Sequence, residues 1–81
     1  MKTNEAVMRR IQEICEQQGK TVCDICLRAG MSPSNIYAFS KGRTKNIKVN
    51  TLQRFCEGAE MSMEQFFASE LFLDLENEDI N

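Results

Sequence analysis

The stretch TVCDICLRAGMSPSNIYAFSKG, residues 21–42, decides the fold because it holds two short helix patterns joined by a tight turn. The first pattern begins with Thr21 and Asp24, whose spacing is typical of a capping box at the start of a helix. It continues as an apolar stripe made of Val22, Ile25, Cys26 and Ala29. Gly30 follows directly and predicts the end of this helix of about eight residues.

The second pattern predicts a helix that begins at the pair Ser32 and Pro33. A serine N-cap followed by proline at the first helical position is favourable, because the missing proline N–H costs nothing there. Ile36 and Phe39 are spaced to face the interior, and Gly42 ends the segment. Only residues 30–32 separate the two helices, so the chain must turn sharply. This is the outline of a helix-turn-helix unit.

The packing demands of such a unit can be checked by counting from Val22 as position 1. The fifth position must be small because the two helices cross there, and it is Cys26. The ninth position is the turn glycine, Gly30. The positions that must be buried hold apolar residues: Ile25, Ala29, Met31, Ile36 and Phe39. The fit predicts the supersecondary unit, although it does not by itself predict DNA binding.

Three further helices flank this unit. The first spans about residues 4–18, ends before Gly19 and has an inward stripe of Val7, Ile11, Ile14 and Cys15. After an aperiodic basic loop at 43–48, the fourth has a stripe of Leu52, Phe55, Cys56 and Ala59. Gly58 is expected to weaken its end. The fifth opens with a Ser62 and Gln65 capping box and contributes core residues, namely Met63, Phe66 and Phe67, together with Met61.

Length and composition bound the class of protein. A chain of 81 residues with 42% hydrophobic and 27% charged residues predicts one globular domain, too small for a large catalytic cleft. No apolar run reaches the roughly 18 residues that a membrane span requires, and the N-terminus lacks a signal-peptide pattern. There is no histidine and no credible nucleophile and base pair. We therefore expect a cytoplasmic protein that is not an enzyme, with no cofactor, metal or small-molecule substrate.

The four cysteines allow three interpretations. In a reducing compartment the thiols stay free, and core or partly buried thiols are the favoured interpretation for Cys15, Cys23, Cys26 and Cys56. A zinc site would need all four thiolates, and the Cys23 and Cys26 pair lies inside a predicted helix rather than in a turn. A thiol oxidoreductase built on that pair is the remaining alternative.

Charge is unevenly distributed along the chain. Residues 25–56 contain no carboxylate and hold all of these cations: Arg28, Lys41, Arg43, Lys45, Lys48 and Arg54. The last fourteen residues contain no cation and hold these anions: Glu70, Asp74, Glu76, Glu78 and Asp79. The net charge of −2 therefore conceals a basic middle that is typical of a polyanion-binding face. A merely solvated basic face is the alternative.

The chain resembles the Cro and phage-repressor type helix-turn-helix domain, the XRE family, from about Met8 to Phe67. The first motifs that carry the resemblance are R-I-x-x-I at 10–14, G-K-T at 19–21 and A-G-M-S at 29–32. S-N-I at 34–36, K-G-R-T-K-N at 41–46, T-L-x-x-F-C at 51–56 and M-S-M-E-Q-F-F at 61–67 continue it. It is especially similar to small stand-alone regulators of Gram-positive bacteria and their phages.

The resemblance implies an all-α, five-helix, lambda-repressor-like domain at 1–68, followed by an acidic tail with an apolar start at 69–81. It implies a transcriptional repressor of phage or mobile-element type that binds double-stranded DNA as a homodimer, with helix 3 in the major groove. The implied base-reading positions are Pro33, Ser34, Tyr37 and Ala38, with Asn35 nearby. The implied phosphate contacts are Thr21, Ser32, Lys41, Arg43, Lys45 and Lys48.

The sequence departs from the family pattern in ways that bear on specificity. Val22 stands where the family often has glutamine, and the Arg and Glu pair of many members is replaced by Cys15 and Ser40. Pro33 and Ala38 have no side-chain donor for a base. Thymine methyl groups, read by apolar contact, and DNA shape are then expected to supply part of the specificity. Tyr37 contacts the groove or packs on the loop.

Two functions outside this class stay open from sequence alone. One is a protein-interaction adaptor or antirepressor of the same fold with weak or no DNA binding. Pro33, Ala38 and Val22, which stand where base- or phosphate-binding side chains are common in the family, favour this alternative. The other is the thiol oxidoreductase. The segment after Ser69 covers the domain or meets a partner, with Phe67, Leu71, Phe72 and Leu73 as candidates for a dimer surface. The acidic end either increases solubility or folds back over the basic loop.

Overall fold

The computed structural model describes residues 1–76, and the regular structure in that range is helical. The elements are α1 (Thr3–Gln18), α2 (Val22–Arg28), α3 (Ser34–Ser40), α4 (Val49–Gly58), α5 (Met63–Phe67) and a 3-10 turn (Glu70–Phe72). The predicted all-α architecture of five helices is therefore confirmed. Among the helices in the described residues, none combines the length and apolar character that a membrane crossing demands.

Two helices begin with the capping boxes that the sequence predicts. At α2 the Asp24 backbone N–H donates to the Thr21 hydroxyl oxygen at 3.1 Å, and the Thr21 N–H donates to the Asp24 carboxylate at 3.0 Å. Ser62 and Gln65 make the same reciprocal pair at α5, at 3.0 and 2.8 Å. These bonds satisfy backbone donors that have no partner inside the helix, so each helix start is fixed locally.

The corner between α2 and α3 is closed by backbone hydrogen bonds. Gly30 adopts φ 69°, its N–H donates to the Leu27 carbonyl at 3.1 Å, and the next N–H reaches the Cys26 carbonyl at 3.0 Å. A left-handed residue after the helix end makes this arrangement possible, and glycine takes that conformation without steric cost. The predicted tight turn is present.

The start of α3 differs slightly from the prediction. The helix begins at Ser34, one residue later than a proline at the first helical position implies. Pro33 nevertheless has a helical backbone, and its carbonyl accepts from the Tyr37 N–H at 3.0 Å. The Ser32 hydroxyl accepts from the Ser34 N–H at 3.3 Å, but Pro33 occupies the N-cap position, so the predicted serine cap lies one residue too early.

The helices enclose one apolar core. The residues buried in it are Val7, Ile11, Ile14, Ile25, Cys26, Ile36, Phe39, Leu52, Phe55, Cys56, Ala59 and Phe66. The predicted stripes are confirmed at most positions, but four predicted members are only partly buried and pack against the core from outside: Cys15, Val22, Met61 and Met63. Ala29 and Met31 are only half-buried, because they lie at the end of α2 and in the turn, at the margin of the core. Phe67, predicted as a core residue and also as a surface candidate, is 41% exposed.

Gly58 is buried where α4 meets α2. A Cβ at this position would lie 2.2 Å from the Ile25 carbonyl oxygen and 3.0 Å from the Ala29 Cβ. The two helices can therefore approach this closely only because residue 58 has no side chain. Gly58 is predicted from sequence to weaken the end of α4, whereas in the structure its missing side chain allows the close approach of the two helices.

Arg10 joins α1 to α5 and is nearly buried. Its Nε donates to the Phe66 carbonyl at 2.6 Å, its Nη2 donates to the Gln65 carbonyl at 2.9 Å, and its Nη1 pairs with Glu13. The guanidinium thus satisfies carbonyls in the last turn of α5, where a positive charge is also favourable. A short helix of five residues is held in place in this way.

The segment after α5 folds back on α1. The Phe72 ring packs 4.9 Å from that of Phe67 and 6.2 Å from that of Phe66, measured between ring centroids. The Glu76 N–H donates to the Met1 carbonyl at 3.0 Å, and its carboxylate pairs with the terminal amine at 3.0 Å. The apolar start of the predicted tail therefore covers the domain. The predicted acidic charges at 78 and 79 lie outside the described residues.

Substitution Gly58→Ala tests the close approach of α2 and α4. Helix propensity alone favours alanine by about 1 kcal/mol, but a Cβ against a backbone carbonyl forces the helices apart at a cost of about 1–3 kcal/mol or more. We expect a net loss of stability of up to about 2 kcal/mol in chemical denaturation. Glu57→Ala, on the exposed side of the same helix, is the control and should change stability little. A stabilised Gly58→Ala variant would contradict the packing.

Candidate nucleic-acid interface

The exposed face of α3 is set by the two residues that it buries. Ile36 and Phe39 point into the core, which leaves Ser34, Asn35 and Tyr37 on the outside. Tyr37 is 39% exposed. The flanking Pro33 and Ala38 are half-buried. All the predicted base-reading residues thus lie on one accessible helix face or at its edge.

The hydroxyl groups of the predicted interface are partly engaged within the protein. The Ser32 and Ser34 hydroxyl oxygens are 2.8 Å apart and share a hydrogen bond. The Thr21 hydroxyl accepts the capping bond at the start of α2. Hydrogen bonds from the backbone and side chain of Thr21 hold the pKa of Asp24 below its ordinary value, so a carboxylate stays beside this predicted phosphate contact.

Two cations of the basic stretch have structural partners. Arg28 pairs with Glu60, and the Arg54 Nη2 donates to the Ala29 and Gly30 carbonyls at 3.0 and 3.1 Å. Arg54 thereby satisfies carbonyls at the end of α2, where a positive charge is favourable. The six positive charges of residues 25–56 therefore do not all belong to one surface function.

The remaining four cations of that stretch are exposed. Among residues 1–76 no carboxylate forms an ion pair with any of them, namely Lys41, Arg43, Lys45 and Lys48. They lie in the loop between α3 and α4, which we call the basic loop, residues 41–48. The Arg43 N–H donates to the Ala38 carbonyl at 2.9 Å, and the Asn4 amide donates to the Lys45 carbonyl at 3.3 Å. These bonds attach the loop to α3 and α1.

A polar cleft connects α3 with the basic loop and the start of α4. Asn35 of α3 lines it together with residues of the loop and of α4, which are Thr44, Asn46, Ile47, Lys48, Asn50 and Thr51. No side chain caps the N-terminus of α4, unlike those of α2 and α5. Thr44, Asn46, Asn50 and Thr51 were not predicted, because short polar residues in a loop or in the first turn of a helix carry no periodic signal.

A second groove brings a carboxylate close to the basic loop. Glu76 lines it with Lys2 and Lys45, while Val49 and Phe67 contribute apolar surface. The described part of the acidic segment therefore reaches the edge of the basic loop. An anion at this edge lowers the positive potential that the loop presents to a polyanion.

The cysteines are free thiols, as the favoured interpretation predicts. Burial raises the pKa of the Cys56 thiol to about 11, and it also raises the pKa values of Cys15 and Cys26. Raised pKa values keep these sulfurs protonated and weakly reactive. In the described residues no three side chains of metal-binding type are grouped as a metal site. These features give no support to the thiol oxidoreductase.

Comparison with known proteins agrees with the geometry. The family model of the Cro/C1-type helix-turn-helix DNA-binding domain matches residues 10–70. The crystal structure of prophage Lp1 protein 11 is similar with a TM-score of 0.76 and 28% identity, covering 93% of this chain and all of the other. The restriction-modification controller protein C.Esp1396I has a TM-score of 0.68 at 22% identity, covering 79% and 83% of the two chains. No curated protein matches the chain.

Measuring the free energy of unfolding of variants tests whether the cations of residues 25–56 divide into structural and free ones. Arg54→Ala removes two hydrogen bonds to carbonyls at the end of α2, and we expect it to lower the free energy of unfolding by about 1 kcal/mol. Lys45→Ala is the matched control, since it removes an exposed cation without an ion-pair partner among the described residues, and should change stability by less than about 0.5 kcal/mol. Equal effects in urea denaturation would show that the division is wrong.

Proposed function

The chain belongs to the family of Cro/C1-type helix-turn-helix DNA-binding domains, and we propose that it acts as a sequence-specific transcriptional repressor of phage or mobile-element type. The observation that carries the proposal is the placement of the four free cations. They occupy one loop that is attached to the end of α3, next to the helix face predicted to read bases. An adaptor that binds only protein would not need this arrangement.

In the proposed complex α3 lies in the major groove. Residues of its exposed face, Pro33, Ser34, Asn35, Tyr37 and Ala38, then meet the base edges. The burial of Ile36 and Phe39 supports this orientation, because it leaves that face as the one available to a ligand. The major groove is wide enough to admit a helix and presents a distinct pattern for each base pair.

The basic loop then follows the DNA backbone. Lys41, Arg43, Lys45 and Lys48 contact phosphates, and the N–H groups at the uncapped start of α4 add donors beside them. Ser32, just before α3, and Thr21, just before α2, are additional phosphate contacts in this proposal. Of these, Thr21 is the weaker candidate, because the Asp24 carboxylate beside it repels a phosphate.

We further propose that the protein binds as a homodimer. A helix face without arginine, lysine or glutamine discriminates weakly in one half-site, so two half-sites about 34 Å apart are needed for useful specificity. The surface that best fits a partner copy contains Phe67 and Leu73, which are 41% and 75% exposed. Leu71 and Phe72, the other predicted candidates, are half-buried against this chain.

Exposed apolar side chains also favour the second candidate function, an adaptor or antirepressor that binds another protein. Leu27 is 66% exposed on α2, and Val49, which is 73% exposed, lines the same groove as Phe67 at the edge of the proposed dimer surface. This candidate predicts a protein complex together with weak or absent DNA binding. The salt dependence of DNA binding therefore separates the two candidates.

Fluorescence anisotropy on a mixed-sequence duplex across a salt series tests the repressor proposal. With four phosphate-binding cations in each protomer, a dimer should show a slope of log K against log salt of about −7. The double variant Arg43→Ala, Lys45→Ala removes half of these contacts and should flatten the slope to about −4. Arg28→Ala is the control, because Arg28 pairs with Glu60 and its loss should leave the slope nearly unchanged. No binding at low salt would contradict the repressor function and favour the adaptor.

Leu73→Glu tests the dimer surface. A carboxylate buried without a partner in an apolar interface is costly, so we expect the variant to be monomeric at concentrations where the unmodified chain is dimeric. Leu27→Glu places the same charge at a similarly exposed leucine on α2 and should leave the dimer intact. Sedimentation velocity measures both. A dimer that survives Leu73→Glu, or a chain that is monomeric throughout, would refute this surface or the dimer itself.

A further inference from the structure

We infer that α3 selects A·T base pairs in the major groove. The inference rests on the proposed function and names the class of operator that this helix can read. Its starting point is the composition of the exposed face, on which no residue from 33 to 40 is charged and none is glutamine. Guanine is read most often by arginine or lysine, and cytosine by a carboxylate. The face therefore lacks the usual partners of a G·C pair.

The nearest cation does not supply the missing guanine contact. Lys41 follows the end of α3 and belongs to the basic loop, beyond Ala38, the last residue predicted to meet base edges. The proposed role of this lysine is therefore a phosphate contact, which carries no direct sequence information.

The serines add little discrimination. A serine hydroxyl can donate to or accept from several bases, so it distinguishes them weakly. The Ser34 hydroxyl also shares its hydrogen bond with Ser32 at 2.8 Å, which occupies part of its bonding capacity. The choice between base pairs is thus left to the other side chains of the face.

Asn35 carries the one side-chain amide of α3 and lies at the edge of this exposed face, on the side toward α4. A side-chain amide donates to N7 and accepts from the N6 amino group of adenine, a bidentate match that no other base offers in the major groove. Asn35 is exposed on α3 and lines the polar cleft beside the basic loop, so phosphate contacts on that loop would hold it near the base edges. It is the specific hydrogen-bonding reader of the face.

Three neighbours present carbon surface. Pro33 and Ala38 are half-buried at the edges of the face, and Tyr37 is 39% exposed between the buried Ile36 and Phe39. In the major groove the complementary apolar group is the 5-methyl of thymine. Adenine for Asn35 and thymine methyl groups for these three residues belong to the same kind of base pair, so both readings select A·T.

The test begins with selection from a random duplex pool by the full chain at low salt. We expect the retained duplexes to be enriched in A·T pairs, and Asn35→Ala to weaken binding to them about tenfold. Lys45→Ala is the matched control and should weaken binding to all duplexes alike, leaving the A·T preference unchanged. A retained pool rich in G·C would overturn the inference while the proposed function stands, whereas a pool that is not retained at all would overturn the proposed function.

Modified bases decide which groove is read. Replacing thymine by uracil removes only the major-groove methyl, and 7-deaza-adenine removes the N7 acceptor; we expect each to weaken binding to a selected duplex by about three- to tenfold. A·T-rich DNA also has a narrow minor groove that attracts cations, and neither modification touches that groove. Undiminished binding to both modified duplexes would therefore overturn direct reading by α3.

Discussion

The close approach of α4 to α2 is the constraint on which the remaining structure depends. Because Gly58 has no side chain, the backbone of α4 lies against the Ile25 carbonyl of α2. Arg54, one turn earlier in α4, donates to the carbonyls at the end of α2 and at Gly30. These two contacts fix the end of α2 and the corner that follows it. α3 leaves from this corner, and the burial of Ile36 and Phe39 then sets its exposed face.

The same packing separates two kinds of basic residue that are indistinguishable in sequence. Arg28 forms an ion pair with Glu60, which follows the end of α4. Arg54 donates to backbone carbonyls at the end of α2. Glu60 has φ 59°, an unfavourable value for a residue with a side chain, and the Met61 N–H bond to the Cys56 carbonyl at 3.0 Å closes the end of α4 around it. Of the cations in residues 25–56, those without an ion pair or structural hydrogen bond among the described residues all lie in the basic loop, next to α3.

Features that depend on local sequence were predictable, and features that depend on distant contacts were not. The capping boxes at Thr21 and Ser62 involve residues three positions apart, so the sequence alone predicts them. Arg10 and Gly58 act through contacts with helices that are distant from them in sequence. The apolar periodicity of the sequence does not indicate these contacts. Ala29 and Met31 were predicted to be buried from a positional pattern, but burial is decided by how many elements surround a residue. The predicted contacts with DNA bases and phosphates stay predictions. Most of the side chains predicted to make them are exposed.

The central claim is that the face of α3 and the basic loop together form the DNA-binding surface. Amide chemical-shift mapping of the ¹⁵N-labelled chain during titration with a duplex tests it most directly, because every non-proline residue reports separately. We expect the largest shifts in residues 32–38 and 41–51, with small changes around Leu27 and along the exposed side of α1. Shifts concentrated at Phe67 and Leu73, with α3 and the basic loop unchanged, would contradict it.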